Sequence, residues 1–225
     1  MNINKCVERA GLSVKNIILE PIASADSVLT EEEKEAGVVL VDIGGGTTDV
    51  AIFHDRIIRH TAVIPFGGNA ITEDIKEGCS IMKRKAEMVK QQFGSAIATE
   101  SQDSVVIAIP GLKGRPAREI TLRNLASIIQ ARMEEIIELV HFEIKNSGYE
   151  KKLIGGIVVT GGGSQLDHIT QLFEYVTGMD ARLGYPTEHL SNANAEAIKS
   201  PMYATGIGLV LKGFEELERT TVVEE

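Results

Sequence analysis

The stretch VVLVDIGGGTTDVAIF, residues 38–53, decides how the chain folds. Three consecutive glycines suggest a phosphate-binding loop, yet a dinucleotide-binding fold or a P-loop continues from its glycines into a helix. Here Thr47, Thr48, Asp49, Val50, Ala51, Ile52 and Phe53 follow, a β-branched alternating run that predicts a second strand. After a turn at His54-Asp55 a third strand is expected at 56–64, so the unit is a β-meander. A hairpin can hold an anion if its turn lacks side chains and its N–H groups point outward. Gly44, Gly45 and Gly46 supply such a turn, and Thr47 and Thr48 add hydroxyl donors. Asp42, at the end of the first strand, would repel a phosphate directly. It suits a magnesium ion whose waters link carboxylate to phosphate. An ordinary hairpin capped by Asp42 accounts for the same residues equally well.

Outward from this stretch, residues 3–10 predict a short helix ended by Gly11, and VKNIILE a strand running into Pro21. IASADSVLT predicts a small-residue helix and EEEKEAG a solvated charged turn. Gly67-Gly68 break the chain before a helical pattern from about 70 to 93. SVVIAIP predicts a strand ended by Pro110, and GLKGRPARE a basic loop. Leu122, Leu125, Ile128, Ile129, Ile136, Ile137, Val140 and Ile144 then mark one apolar face of a helix of about seven turns. GIVVTGGG predicts a buried strand ending in a second glycine turn, Gly161, Gly162 and Gly163, with Ser164 near the start of a helix SQLDHITQLFEYV. ARLGYP predicts a short strand. PMYATGIGLVLKGF predicts a closing helix in which Gly206 and Gly208 allow another backbone to approach. The mixture implies an α/β fold with an insertion from about 65 to 150.

A net charge of −9 argues against a general nucleic-acid binder or a polybasic membrane patch. The longest apolar runs are strand-length, and MNINKCVERAGL carries charges where an export signal needs an apolar core. Cys6 and Cys79 fit no C-x-x-C pattern, and the five histidines have no metal-ligand spacing. P-loop, G-x-S-x-G and H-E-x-x-H motifs are absent from the sequence. The second glycine turn is a weak dinucleotide fingerprint, since Leu166 stands where a third glycine belongs.

Taken together, these motifs resemble the actin-like ATPase superfamily, whose signatures fall in a fixed order. ILEPIASADSVL is similar to its first connecting helix, VDIGGGTTD to its second phosphate hairpin, VVTGGGSQL to its adenosine motif, and YATGIGLVL to its second connecting helix. Gly67-Gly68 sit where chaperone-type members touch phosphates. Glu87 and Lys90, three residues apart on one helix face, sit where members hold the ribose. CVERAGL, IRHTAVIPFGGNAITEDI, PGLKGRPAREI and ARMEEIIELVHFEI narrow the resemblance to the FtsA family of bacterial cell-division proteins. The resemblance implies a ribonuclease H-like subdomain IIA at 1–65 and 151–215, an inserted α/β subdomain IIB at 66–150, and a tail at 216–225. It also implies ATP and Mg as cofactors, slow ATP turnover at most, and self-association into actin-like filaments. The implied partners are the C-terminal peptide of FtsZ and other divisome proteins. The implied setting is the cytoplasmic face of the inner membrane at the septum.

The peptide is expected on subdomain IIB at 111–132, where Lys113, Arg115, Arg118, Arg123 and Arg132 gather beside Asn124 in an acidic chain. Against the family pattern, an upstream phosphate loop, the IC subdomain and a C-terminal membrane-anchoring helix are not found in this sequence. It therefore reads as one wall of a nucleotide cleft. PilM-type or MreB-like proteins, and more distantly a sugar kinase, are the alternatives within the superfamily.

Overall fold

The computed structural model describes residues 2–102, 104–110, 116–187, 190 and 198–223, with side chains described up to Glu218. The chain opens with α1 (Asn2–Arg9) and then runs extended to α2 (Glu20–Val28), whose first turn holds Glu20 and Pro21. The strand expected at VKNIILE does not form. Residues 12–19 pair with no strand, and Leu12, Ile17 and Leu19 are exposed. A strand needs a neighbour for its N–H and C=O groups, and the sheet offers none there. The expected charged turn is instead α3 (Glu31–Ala36), set by a capping box. Thr30 Oγ1 accepts from Glu33 N at 3.2 Å while Glu33 Oε2 accepts from Thr30 N at 2.8 Å.

The meander follows as β1 (Val38–Ile43), β2 (Thr48–His54) and β3 (Ile57–Ile64). The helical pattern over 70–93 divides into α4 (Gly68–Cys79) and α5 (Lys83–Phe93), because Ser80 adopts a left-handed φ of 51° and ends the first helix. β4 (Val106–Ile109) and β5 (Arg118–Thr121) make a separate two-stranded antiparallel sheet, and α6 (Leu122–Asn146) is the long amphipathic helix. β6 (Ile157–Thr160), α7 (Ile169–Thr177), β7 (Ala181–Leu183) and α8 (Ala204–Val223) complete the fold. The helix expected from Ser164 onward starts later. Gly162–Gln165 form a 3-10 turn, and His168, left-handed at φ 61°, precedes α7.

The main sheet has the order β3-β2-β1-β6-β7, with β1 antiparallel to β2 and parallel to β6. Side chains alternate across a strand, and here both faces are covered. Val39, Val41, Ile43, Val50, Ile52, Ile157 and Val159 face a core completed by α4, α6 and α7. Val38, Leu40, Ala51, Phe53 and Val158 face α2 and α8. The same alternation continues to the strand ends, so Asp42, its cross-strand partner Asp49 and its parallel neighbour Thr160 lie on the α2/α8 face. On that face α8 crosses α2 through small residues. A Cβ on Gly208 would stand 1.7 Å from Ala23 O, so glycine is obligatory there. Gly206 has open space around it and plays no such part, against the expectation.

Candidate functional site

The two glycine turns leave adjacent strands at the same edge, since β1 and β6 are parallel and Asp42 pairs with Thr160. The carboxyl ends of parallel strands, where connections diverge to either side, form the crevice in which open α/β sheets bind ligands. Here β1 continues into the antiparallel meander on one side and reaches β6 through the insertion on the other.

The hairpin turn is braced from outside. Gly44 N donates to Thr47 O at 2.9 Å, and the first N–H groups of α4 cap the turn's carbonyls: Gly68 N to Gly44 O at 2.9 Å and Asn69 N to Gly45 O at 2.7 Å. That contact demands Gly67, whose Cβ would come within 2.6 Å of Gly44 O. With the carbonyls engaged, the exposed N–H groups of Gly45 and Gly46 have no acceptor among the described residues. This is the side-chain-free donor edge that an anion needs. Thr47 is exposed beside it. Thr48 is buried and donates to Phe66 O at 2.9 Å, so its hydroxyl holds the loop before α4 and does not face the crevice. The Gly68 N–H is likewise spent within the chain.

Asp42 is buried, its Oδ2 accepting from Ser24 Oγ of α2 at 2.9 Å and from Thr205 Oγ1 of α8 at 3.4 Å. Burial pushes its carboxyl above the ordinary range; the Ser24 and Thr205 hydroxyls pull it back, and the charge of Asp49 pushes it further up. Glu20 is raised in the same way, by burial first and then by Asp49 and Asp42, with Thr205 opposing. The charges of Asp42 and Asp49 thus bear on Glu20, and that of Asp49 on Asp42, but among the described residues no three acidic, histidine or cysteine side chains are grouped to hold a metal ion directly. Ser24 and Thr205 are partners of Asp42 that the sequence reading missed; only the fold brings residues so far apart onto one carboxylate.

In the second turn Gly161 is left-handed at φ 84°, and its Cβ would lie 2.3 Å from Asp42 Oδ1. Gly163 packs against Ile43, whereas Gly162 is exposed with nothing within 4 Å of an added Cβ. Gly162 is thus the open backbone face of the turn. Ser164 is fully buried and donates to Gly161 O at 2.8 Å, which supports the turn from behind.

Glu87 and Lys90 are not a solvated surface pair. They lie on α5. Near its C-terminal end Lys90 Nζ donates to Gly68 O, at the start of α4, at 2.9 Å; just past the helix Ala96 N donates to Asp167 O at 2.8 Å and Asp167 N to Gly94 O at 3.1 Å, which ties the segment to the chain that follows the second turn. Burial alone would raise the Glu87 carboxyl, but hydrogen bonds from Lys90 and Thr72 hold it below the ordinary range. A separate cavity of about 830 Å³ lies behind the second turn, lined by Asp167, His168, Tyr185 and Lys199 among others. None of its lining residues belongs to the hairpin or to α5.

On the two-stranded sheet and the start of α6, Arg118, Arg123 and Asn124 are exposed together. Arg132 does not join them. Its guanidinium is fixed by Asp74 at 2.6 and 3.0 Å and by Glu135, and it lies over the Phe66 ring. Lys113 and Arg115 lie outside the described residues.

The sheet order, the crossed small-residue helices and the paired glycine turns define an actin-like ATPase fold. Solved structures agree: MreB5 of Spiroplasma citri bound to ADP superposes with a TM-score of 0.78 at 21% identity over 100% of this chain and 67% of its own. A PilM-PilN type IV pilus biogenesis complex matches with a TM-score of 0.70 at 19% identity over 92% of this chain and 55% of its own. An Hsp70 profile also matches residues 1–63. The profile described as cell division protein FtsA matches residues 39–208. The chain is 44% identical to cell division protein FtsA of Pseudomonas aeruginosa over 96% of its length and 51% of the relative's. The FtsA of Escherichia coli K12 is 36% identical, over 95% of this chain and 52% of its own, and that of Bacillus subtilis 36%, over 93% and 46%. The chain belongs to the FtsA family, and it spans about half the length of the curated relatives it matches. No helix among the described residues is long and apolar enough to cross a membrane.

Proposed function

We propose that this chain forms one wall of the ATP site of an FtsA-type cell-division adaptor, a nucleotide-dependent scaffold whose ATP turnover is slow at most. The observation that carries the reading is the convergence of two glycine turns on one sheet edge, with a buried Asp42 between them. The Gly45 and Gly46 N–H groups and Thr47 would hold phosphates beside Gly67. The Gly162 backbone would take the adenosine, and Glu87 a ribose hydroxyl. Asp42 would meet Mg²⁺ through water, and the ion would offset charge on both carboxylates and phosphates. Subdomains IIA (1–65 and 151–215) and IIB (66–150) belong to this proposal. In support, among the described residues β4 and β5 pair only with each other; α6 is shared, because it packs against β2, β3 and α7 as well as against α4 and β5. Titrating ATP into isotope-labelled protein should shift the amides of Gly45, Gly46 and Gly162 first. Shifts confined to the cavity behind the second turn would place the ligand elsewhere.

The partner surface in this proposal is the exposed group Arg118, Arg123 and Asn124, facing the acidic and apolar tail peptide of FtsZ at the division site. Rim arginines steer and orient such a peptide, while apolar contacts supply most of the affinity. An Arg118→Glu/Arg123→Glu variant should bind the FtsZ tail peptide about tenfold more weakly or worse, and salt should weaken wild-type binding. Equal affinity with an unchanged circular dichroism spectrum would move the peptide site off this surface. Filament self-association, other divisome partners and peripheral attachment at the inner membrane are the remaining parts of the proposal, supported by family membership.

A further inference from the structure

Thr72 is 1% exposed, yet its hydroxyl stands at the centre of the contacts between α4 and α5. It lies four residues after Gly68, so the helix returns its Oγ1 to the Gly68 carbonyl, at 3.0 Å. The same oxygen bonds Glu87 Oε2 and accepts from Lys90 Nζ at 2.8 Å. Lys90 is 12% exposed at its side chain and spends its three donors on Gly68 O, Thr72 Oγ1 and Glu87 Oε2. It has nothing left for a ligand. Glu87 differs. Its Oε2 receives Lys90 and Thr72, its Oε1 receives Gln91 Nε2 at 2.8 Å, and its side chain is 38% exposed. A carboxylate offers about four lone-pair sites, so acceptor capacity remains on the solvent side.

With Glu87 as the ribose acceptor of the nucleotide reading, we propose that Thr72, held in turn by Lys90, is a positioning residue that orients Glu87 and links it through Gly68 to the phosphate-side turn. The proposal rests on the nucleotide reading above. Its physical basis is a single proton. The Thr72 hydroxyl has one hydrogen and two acceptors within reach, Gly68 O and Glu87 Oε2. Because Lys90 already donates to Gly68 O, the Thr72 hydrogen can go to Glu87 and leave no carbonyl unsatisfied. Gly68 N in turn donates to Gly44 O, so one chain of hydrogen bonds runs from the hairpin turn to the ribose acceptor.

The test compares ATP with 2′,3′-dideoxy-ATP by amide-shift titration. Wild type should prefer ATP by about tenfold, the value of one well-formed hydrogen bond. Thr72→Val should lower that preference to about twofold or less, while inorganic triphosphate still shifts Gly45 and Gly46. Thr72→Ser, which keeps the hydroxyl, should restore it. Should the valine variant not fold, Thr72→Ala needs less room and carries the same expectation. A Thr72→Val protein with the full wild-type preference would overturn the positioning role alone. A wild type in which ATP shifts no amide of either turn would overturn the nucleotide reading and this inference with it.

Discussion

The two glycine turns look alike in sequence and are built on opposite physical grounds. Gly161 is left-handed and pressed between Asp42 and Ile43, and Gly163 meets the Ile43 side chain, so these two are glycine because the chain itself leaves no room, and only Gly162 between them is open. In the hairpin, none of Gly44, Gly45 and Gly46 has a positive φ. A Cβ on Gly45 would meet only Asn69 side-chain atoms, at 3.6 Å or more, and one on Gly46 would meet nothing. Nothing in the fold demands glycine at 45 and 46. A position kept free of side chains without an internal reason points to something outside the chain: Gly45 and Gly46 in the hairpin, but Gly162 alone in its counterpart. A glycine run is thus evidence for a ligand only after the chain's own demands have been subtracted.

The largest effect should come from Gly161→Ala. It combines left-handed strain with a Cβ driven onto the Asp42 carboxylate, and should cost about 3 kcal/mol or more of unfolding free energy in urea denaturation. A loss under about 1 kcal/mol would break the distinction between the turns.

Asp42→Asn sharpens it from the other side. Asp42 carries a carboxyl raised by burial, so the folded state favours its protonated form. Stability from this group is therefore present below its ordinary value of 3.8 and is lost as pH rises through the raised one. Asparagine can still accept from Ser24 and Thr205 and carries no charge. It should stabilise the chain by about 1–2 kcal/mol at neutral pH and by far less near pH 3. Millimolar Mg²⁺ should raise the melting temperature of wild type more than that of Asp42→Asn. A variant less stable than wild type at neutral pH would show that the Asp42 charge is already compensated within the chain.

Much of this was legible in the sequence because it is written in local patterns. Alternation over 38–53 gave the meander, and the 3.6-residue period gave α6. The glycine runs marked both turns, and Gly208 was correctly read as a close-approach position. The failures share a cause. VKNIILE has a strand's composition but no strand beside it in space, and sequence pattern reports only the former. Thr48, Ser164 and Lys90 have the right chemistry for a ligand, but their polar atoms are spent on Phe66 O, Gly161 O and the Gly68–Thr72–Glu87 group. Arg132 was counted with a basic rim until α4 placed Asp74 beneath it. Ser24, Thr72 and Thr205 were invisible because each bonds a carboxylate brought close only by the packing of its helix. The capping box at Thr30-x-x-Glu33, by contrast, was local and readable, and it was missed under the acidic composition of EEEKEAG.

Gly45→Ala should have the smallest effect on stability and is the cleanest test of the comparison. Removing glycine from an unstrained, uncrowded position lowers the entropy of the unfolded chain, so stability should hold or rise by about 0.4–1 kcal/mol. The added methyl would nonetheless stand beside N–H groups of the exposed turn that have no acceptor among the described residues. ATP-induced shifts at Gly46 and Thr47 should therefore vanish or weaken about tenfold, the equivalent of one lost anion hydrogen bond, in a protein at least as stable as wild type. Lost binding together with a stability loss like that of Gly161→Ala would mean that the hairpin glycines serve the fold after all. Retained binding at full stability would mean that they serve neither fold nor ligand, and the phosphate site would have to be sought away from the turn.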